Sequence, residues 1–471
     1  MASILMKFSL FRTILIALGI CLFILMNKID INPWVFIVCS ISIIVLFVFS
    51  KESTVVIKKI KIRPIHVFLL AYLIVFYQRP VDYLVGYNFS FREIGYVNLI
   101  PVCLYYATIG LVSFLVGYTT YRHNKSRLVP DKVFLNPSSP NIFSYLTSLL
   151  MLITVIVTPR RILMGGYSMD MLSGGAGSLT YLLSWTNLFI IAYFIQFSIV
   201  MKTEENVGIS LKDYFFKIHG LQRFNIFAYS LLILNIGDRG PLIVLLLSVY
   251  ISYIMISKLI PSLKILIPSF VLLTLAMSFL GQTKGYRGDN SIFERIETTR
   301  ESVTATDERS IINATSELAG SYKCLSFSVA NVPDFVDYGY GRFQLDHILS
   351  VFPFVSHIYK SGGKTSALIT YFIQGDDPVS GNGSSCVADF YIDGGLVGIV
   401  LGMFLFGYLM RLFEYQLFVV KYPPLFLISM SYYMSCHVTH IPRSMVFFYL
   451  KYSVWLFVIL LIVNRFSLKK K

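Results

Sequence analysis

Apolar residues run through this chain in blocks of about 17–25, the length a helix needs to cross the hydrocarbon of a bilayer. Polar stretches between the blocks are short, with one exception. From residue 282 to 395 the pattern breaks, and the chain returns to it through GNGSSCVADFYIDGG at 381–395. The blocks predict twelve spanning helices near 9–26, 33–49, 65–78, 97–118, 142–158, 179–201, 224–237, 241–257, 265–281, 396–410, 425–437 and 445–463. The chain then divides into 1–281 with nine spans, the polar excursion 282–395, and 396–471 with three spans and a basic tail. Within the excursion, helical spacing of apolar residues predicts helices over Asp307–Val332 and Phe343–Phe354. The Gly-, Ser-, Lys- and Asp-rich stretch 359–387 reads as a mobile surface loop.

Composition fits this picture. Hydrophobic residues make up 56% of the 471 and charged residues 14%, against about 25% charged in soluble domains. Mean hydropathy is +0.69. The fold class is therefore an all-α polytopic integral membrane protein, because a helix satisfies its own backbone polar groups in lipid. The first block, 9–26, has no small-residue cleavage site and reads as a first span. Six cysteines are scattered without metal-binding spacing. Cys324 and Cys386 share the polar region, and a disulfide between them is possible.

A net charge of +15 would suggest nucleic acid in a soluble chain, but no recognition motif for it is present. Here the charge collects in alternate loops: 50–64, 119–141, 202–223 and the tail after Arg465. By the positive-inside rule these loops and both termini face the cytoplasm. The opposite short loops hold seven Lys and Arg together, so the excursion 282–395 is expected to lie outside, which in a Gram-negative cell is the periplasm. Topology does not explain the basic residues on that side: Arg160, Arg161, Arg239, Arg287 and Arg443.

Arg239 lies in Gly237-Asp238-Arg239-Gly240-Pro241. Gly237 can end one helix and Pro241 can begin the next. A guanidinium at a helix N-terminus suits a phosphate. A plain helical hairpin with an arginine reaching lipid headgroups explains the same residues equally well. No P-loop, dinucleotide fingerprint, HExxH or DxD pair occurs. The outer histidines, His347, His357, His437 and His440, read first as polar surface residues. Few charges lie inside the spans (Arg12 and Lys451, near ends), which weighs against a proton-coupled transporter. Arginines could neutralise a departing pyrophosphate, and Asp389, at the mouth of a span, could take a proton from a sugar hydroxyl. Helix capping is the alternative role for Asp389. Gly381 and Gly383 suit close backbone approach or a plain hinge.

The order of features resembles the O-antigen polymerases of the Wzy family. The resemblance rests on Gly237-Asp238-Arg239-Gly240 opening a span, on YGYGRFQLDHILSVFP at 338–353, and on GNGSSCVADFYIDGGLVG at 381–398. It implies a GT-C-like fold and a metal-independent glycosyltransferase without a nucleotide sugar or other cofactor. The growing glycan would move from undecaprenyl pyrophosphate onto the next lipid-linked repeat unit. The implied partners are a repeat-unit flippase and a chain-length regulator. The implied catalytic residues are Asp389 and Arg239. Substrate contacts would come from Arg160, Arg161, Arg287, Arg443, Gly381, Gly383 and Tyr391. Many relatives have Glu where this chain has Asp389, which leaves open whether the acid is base or orienter. An O-antigen ligase shares the architecture, and a flippase of lipid-linked units is the rival from another class.

Overall fold

The computed structural model describes residues 2–25, 31–50, 63–121, 140–158, 176–203, 208–236, 240–257, 312, 315–352, 364–378, 381–420 and 423–468. Among them every regular element is a helix. In chain order these are α1 (Ala2–Leu25), α2 (Pro33–Phe49), α3 (Pro64–Val85), α4 (Ile100–Thr120), α5 (Asn141–Val157), α6 (Ala176–Thr203), α7 (Gly220–Ile236) and α8 (Gly240–Ser257). There follow α9 (Tyr322–Asn331), α10 (Arg342–Leu349), α11 (Thr365–Gln374), α12 (Cys386–Phe418), α13 (Leu425–Cys436) and α14 (Phe448–Leu468). Six helical stretches among the described residues are long and apolar enough to cross a membrane: Pro64–Val85, Phe91–Thr120, Tyr181–Lys202, Gly240–Ser257, Cys386–Phe418 and Phe448–Arg465. Each expected span falls on a helix except 265–281, which lies outside the described residues.

Local chemistry sets the helix ends. Pro33 and Pro64 open α2 and α3, where a missing N–H costs nothing, and Asn32 caps α2 by accepting from the Trp34 N–H at 3.0 Å. The third span runs past its expected end at 78 to Val85. A π-helical stretch, Ile74–Gln78, precedes Arg79-Pro80, and Pro80 has no N–H to give the preceding turn.

Contacts divide the chain into two compact units. The first holds residues 1–129, 316–419 and 438–451; the second holds 130–315, 420–437 and 452–471. In the second, buried polar side chains join the helices. Gln196 Nε2 donates to Asn464 Oδ1 at 2.8 Å, Ser198 meets Ser252 at 2.8 Å, and Asn225 Nδ2 donates to the Ser144 carbonyl at 2.8 Å.

In the first unit, α4 and α12 touch through their backbones. A Cβ on Gly117 would strike the Phe404 carbonyl, and one on Gly407 would strike the Phe114 carbonyl. Small residues permit such crossings where lipid supplies no hydrophobic drive between helices. Ser40, Tyr77 and Thr108 add a hydroxyl triad across α2, α3 and α4, at 2.7–3.2 Å.

The tenth span begins at Cys386, ten residues before the expected 396, but α12 is broken at Gly394 and Gly395, and Gly395 has a φ of +57°. The expected boundary therefore lies at the break. Before it, Cys386–Asp393 folds back on the helix that follows, so that Phe390 leaves no room for a side chain at Gly398 or Gly402.

The polar region differs from expectation in detail. The expected helix Asp307–Val332 is described only in its second part, as Ser316–Ala319 and α9, with Gly320 between them. The expected Phe343–Phe354 helix is α10, starting at Arg342 and ending at Leu349. The stretch expected to be a mobile loop contains α11. It is held because Thr365, Ile369 and Ile373 on its inner face are buried. These helices pack on the spans. Arg79 Nη2 donates to Ser316 Oγ at 2.8 Å, and the Tyr96 N–H donates to Ser326 Oγ at 2.8 Å. Cys324 and Cys386 are both free and buried, so the possible disulfide is absent.

Charge inside the spans also exceeds expectation. Arg63 Nη1 lies 3.3 Å from Glu414 Oε2, and both side chains are fully buried. Tyr118 donates to the same oxygen at 2.5 Å, the Ile65 N–H donates to Oε1 at 3.0 Å, and Arg411 donates to Tyr118 at 3.0 Å. Removing one partner strands the other charge, a loss of about 3–5 kcal/mol. We expect Glu414→Ala to lower the thermal midpoint of detergent-solubilised protein sharply; an unchanged midpoint would show that the cluster does not support the fold. Gly407→Leu should leave little folded protein in the membrane fraction, measured by fluorescence-detected size exclusion against a lipid-facing Leu405→Ala control.

Candidate active site

All residues of the site belong to the first unit. Its base is Asp393, in the last turn before the Gly394–Gly395 break. Its Oδ1 accepts from the N–H groups of Gly341 (3.0 Å) and Phe343 (3.2 Å), and its Oδ2 accepts from that of Gln344 (3.0 Å). Tyr340 and Gly341 both have left-handed backbones, with φ of +51° and +87°. This winding turns successive N–H groups inward, and such nests bind anions. Gly339 is required because a Cβ there would meet Asp393 Oδ1 and the Phe343 ring. A carboxylate under a helix N-terminus is also favoured by the helix dipole. Asp393 thus fixes where α10 starts and how it is rotated.

Residues three apart share a helix face, so α10 lays Gln344 and His347 together over Asp389. Gln344 Nε2 donates to Asp389 Oδ2 at 2.9 Å. Thr365 Oγ1, from the first residue of α11, donates to Asp389 Oδ1 at 2.6 Å. His347 Nε2 lies 3.8 Å from Oδ1 and makes no hydrogen bond. Asp389 is 0% exposed and His347 3%. The cap of α12 is Ser385, whose Oγ accepts from the Ala388 N–H at 3.3 Å. Asp389 therefore sits inside the first turn rather than at a span mouth, and its carboxylate reaches away to α10 and α11.

Lys364, exposed at the N-cap of α11, places its Nζ 5.6 Å from the centre of the Phe448 ring, and His347 meets the same ring edge-on at 6.5 Å. Arg443 ends a 3-10 turn, Ile441–Arg443. Its carbonyl lies 3.9 Å from where a Cβ on Gly383 would stand. Burial pushes the Cys324 thiol up to about 11, and the charges of Lys323 and Arg443 pull it partly back.

Of the residues named from sequence, Asp389, Tyr391, Gly381, Gly383 and Arg443 belong to this unit, and of these only Gly383 and Arg443 approach each other. Gly383 has a φ of +76° and is exposed, whereas Gly381 is exposed with open space around it. Tyr391 is buried. Its hydroxyl donates to the Val332 carbonyl at 2.9 Å, and its ring packs on Tyr106 and Tyr338. Arg160, Arg161, Arg239 and Arg287 lie outside the described residues, as does His357. His437 stacks on Tyr433 with its Nδ1 at 2.8 Å from the Tyr433 carbonyl, a packing role. His347 also packs, edge-on against Phe448, but its Nε2 makes no hydrogen bond.

Sequence reasoning missed Gln344, His347, Thr365 and Asp393. One signal was available: Asp389 and Asp393 are four apart, which places two acids on one helix face. The left-handed run before α10 was recognised as a motif, but its carboxylate partner lies some fifty residues on. Chemically, the cluster offers a buried carboxylate fixed by two neutral donors, an imidazole beside it, and one cation, Lys364, at the edge.

Comparison with known proteins adds one finding. The family described as O-antigen polysaccharide polymerase Wzy matches residues 7–471, spanning every element above. No curated protein and no solved structure matches the chain. With its multi-pass helical fold, the chain belongs to the Wzy O-antigen polysaccharide polymerases, membrane glycosyltransferases of lipopolysaccharide biosynthesis that act on lipid-linked repeat units.

Proposed function

We propose that the protein transfers the growing glycan from undecaprenyl pyrophosphate onto the next undecaprenyl-linked repeat unit at the periplasmic face of the bacterial inner membrane. The observation that carries this reading is the family match over nearly the whole chain. Charge along the sequence supports the orientation. The basic loops lie on one side with both termini, across twelve spans arranged in a GT-C-like manner. The buried Arg63–Glu414 pair and the Asp389 cluster lie toward opposite ends of α12. The helix from Leu396 to Phe418 is about 34 Å long, close to the hydrocarbon thickness of roughly 30 Å.

In this reaction an acceptor hydroxyl attacks the anomeric carbon, and undecaprenyl pyrophosphate leaves. Arg239 and Arg443, with Arg160, Arg161 and Arg287, hold the pyrophosphate and stabilise charge as it departs. Lys364 is a further cation, at the edge of the described cluster. Asp389 is the acid around which the proton transfer is organised. A flippase supplies repeat units, and a chain-length regulator sets when polymerisation stops.

The lipopolysaccharide profile of a strain lacking the gene tests the reading. A core carrying one repeat unit with no ladder is expected, and complementation should restore the ladder. A bare core with long glycan on the carrier would instead mean ligase, and a bare core with units trapped on the cytoplasmic side would mean flippase. Arg239→Ala should give the single-unit profile at normal protein abundance; a normal ladder would remove Arg239 from the site. Asp389→Asn should also lose the ladder, since an amide cannot accept from both Gln344 and Thr365 and carries no charge; a retained ladder would leave Asp389 a packing role.

A further inference from the structure

We propose that His347 is the group that takes the proton from the acceptor hydroxyl, and that Asp389 orients it. This rests on the polymerase reading and assigns the base within it. A general base must come within about 3 Å of the proton it removes. Asp389 is poorly placed to do so, because it is fully buried and each of its oxygens already accepts a hydrogen bond. His347 is 3% exposed, against 0% for Asp389. Its Nε2 points at Asp389 Oδ1 from 3.8 Å and has no hydrogen-bond partner. A closure of about 1 Å makes that contact a hydrogen bond. Nε2–H then donates to the carboxylate, which fixes the tautomer and leaves the lone pair on Nδ1. Nδ1 has no hydrogen-bond partner among the described residues.

The step balances as follows. The acceptor O–H bond breaks and its proton moves to His347 Nδ1. The acceptor oxygen bonds to the anomeric carbon, the bond from that carbon to the pyrophosphate oxygen breaks, and its electron pair leaves on the diphosphate. The imidazolium is stabilised by the Asp389 carboxylate and later gives its proton to water. Gln344 and Thr365 hold the carboxylate in place. Asp393 acts as a positioning residue one step removed, because its three backbone contacts set the rotation of α10 and so the direction of His347. The other charged groups on α10 are Arg342 and Asp346; Lys364 stands at the start of α11, Asp393 before the break in α12 and Lys451 in the first turn of α14.

The test uses the full chain in lipid nanodiscs with synthetic undecaprenyl-pyrophosphate-linked repeat units, following glycan length by mass spectrometry. His347→Ala should lower turnover by about 100-fold or more with KM little changed, and free imidazole should restore at least about tenfold of the loss. A loss confined to KM, or one that imidazole does not restore, would make His347 a binding or packing residue and overturn the proposal. If His347→Ala cannot be recovered folded, His347→Gln keeps the test: it should be folded and inactive, and turnover within about threefold of wild type would overturn the assignment. Failure of the wild-type protein to lengthen glycan in the same assay would strike the polymerase reading itself.

Discussion

The backbone contact between α4 and α12 is the constraint on which the first unit depends. Gly117 and Gly407 each face a carbonyl of the other helix, so the two axes can approach only with hydrogen at both positions. In lipid, apolar side chains gain little by leaving their surroundings, and close approach with its dispersion contacts becomes the means of association. Once α12 is fixed against α4, the groups at its two ends are fixed as well. One end carries Arg411 and Glu414 into contact with Tyr118 and Arg63. The other carries the Gly394–Gly395 break and the acids that precede it.

The break turns a spanning helix into a site. A straight helix would carry Asp389 and Asp393 on along the axis of the segment that follows Gly395. Folding back at two glycines, one with φ of +57°, sends them toward the polar helices instead. Asp393 then captures the start of α10 through three N–H groups, and Asp389 captures its side chains together with Thr365 of α11. Two carboxylates one turn apart thus do different work: one binds backbone and fixes a helix, the other binds side chains of α10 and α11.

Buried charge is treated differently at the two ends of this unit. Around Glu414, the fully buried Arg63 and the hydroxyl of Tyr118 meet one carboxylate, and Arg411 reaches it through Tyr118. Around Asp389, the donors are neutral and the nearest cation-forming group is an imidazole at 3.8 Å, not yet within hydrogen-bond distance. A carboxylate already neutralised by a close guanidinium has little use for an added proton; one held by an amide and a hydroxyl can still stabilise a charge that forms beside it.

The sequence by itself determined the helical membrane fold, the approximate place of each described long helix, and the region that holds the candidate site. Those features follow from local quantities: run length, hydropathy, and loop charge. It also singled out Asp389, Gly383 and the YGYGRF run, because acids and glycines stand out against an apolar background. Only the tertiary structure decided what these residues do. The cap expected of Asp389 belongs to Ser385, the stretch expected to be a mobile loop holds α11 and Thr365, and the partner of the YGYGRF run is Asp393, some fifty residues away. His347, read from sequence as a polar surface residue, is buried against a carboxylate of another helix. Such roles depend on distances between groups far apart in the chain, and hydrophobic periodicity within a segment carries no information about them.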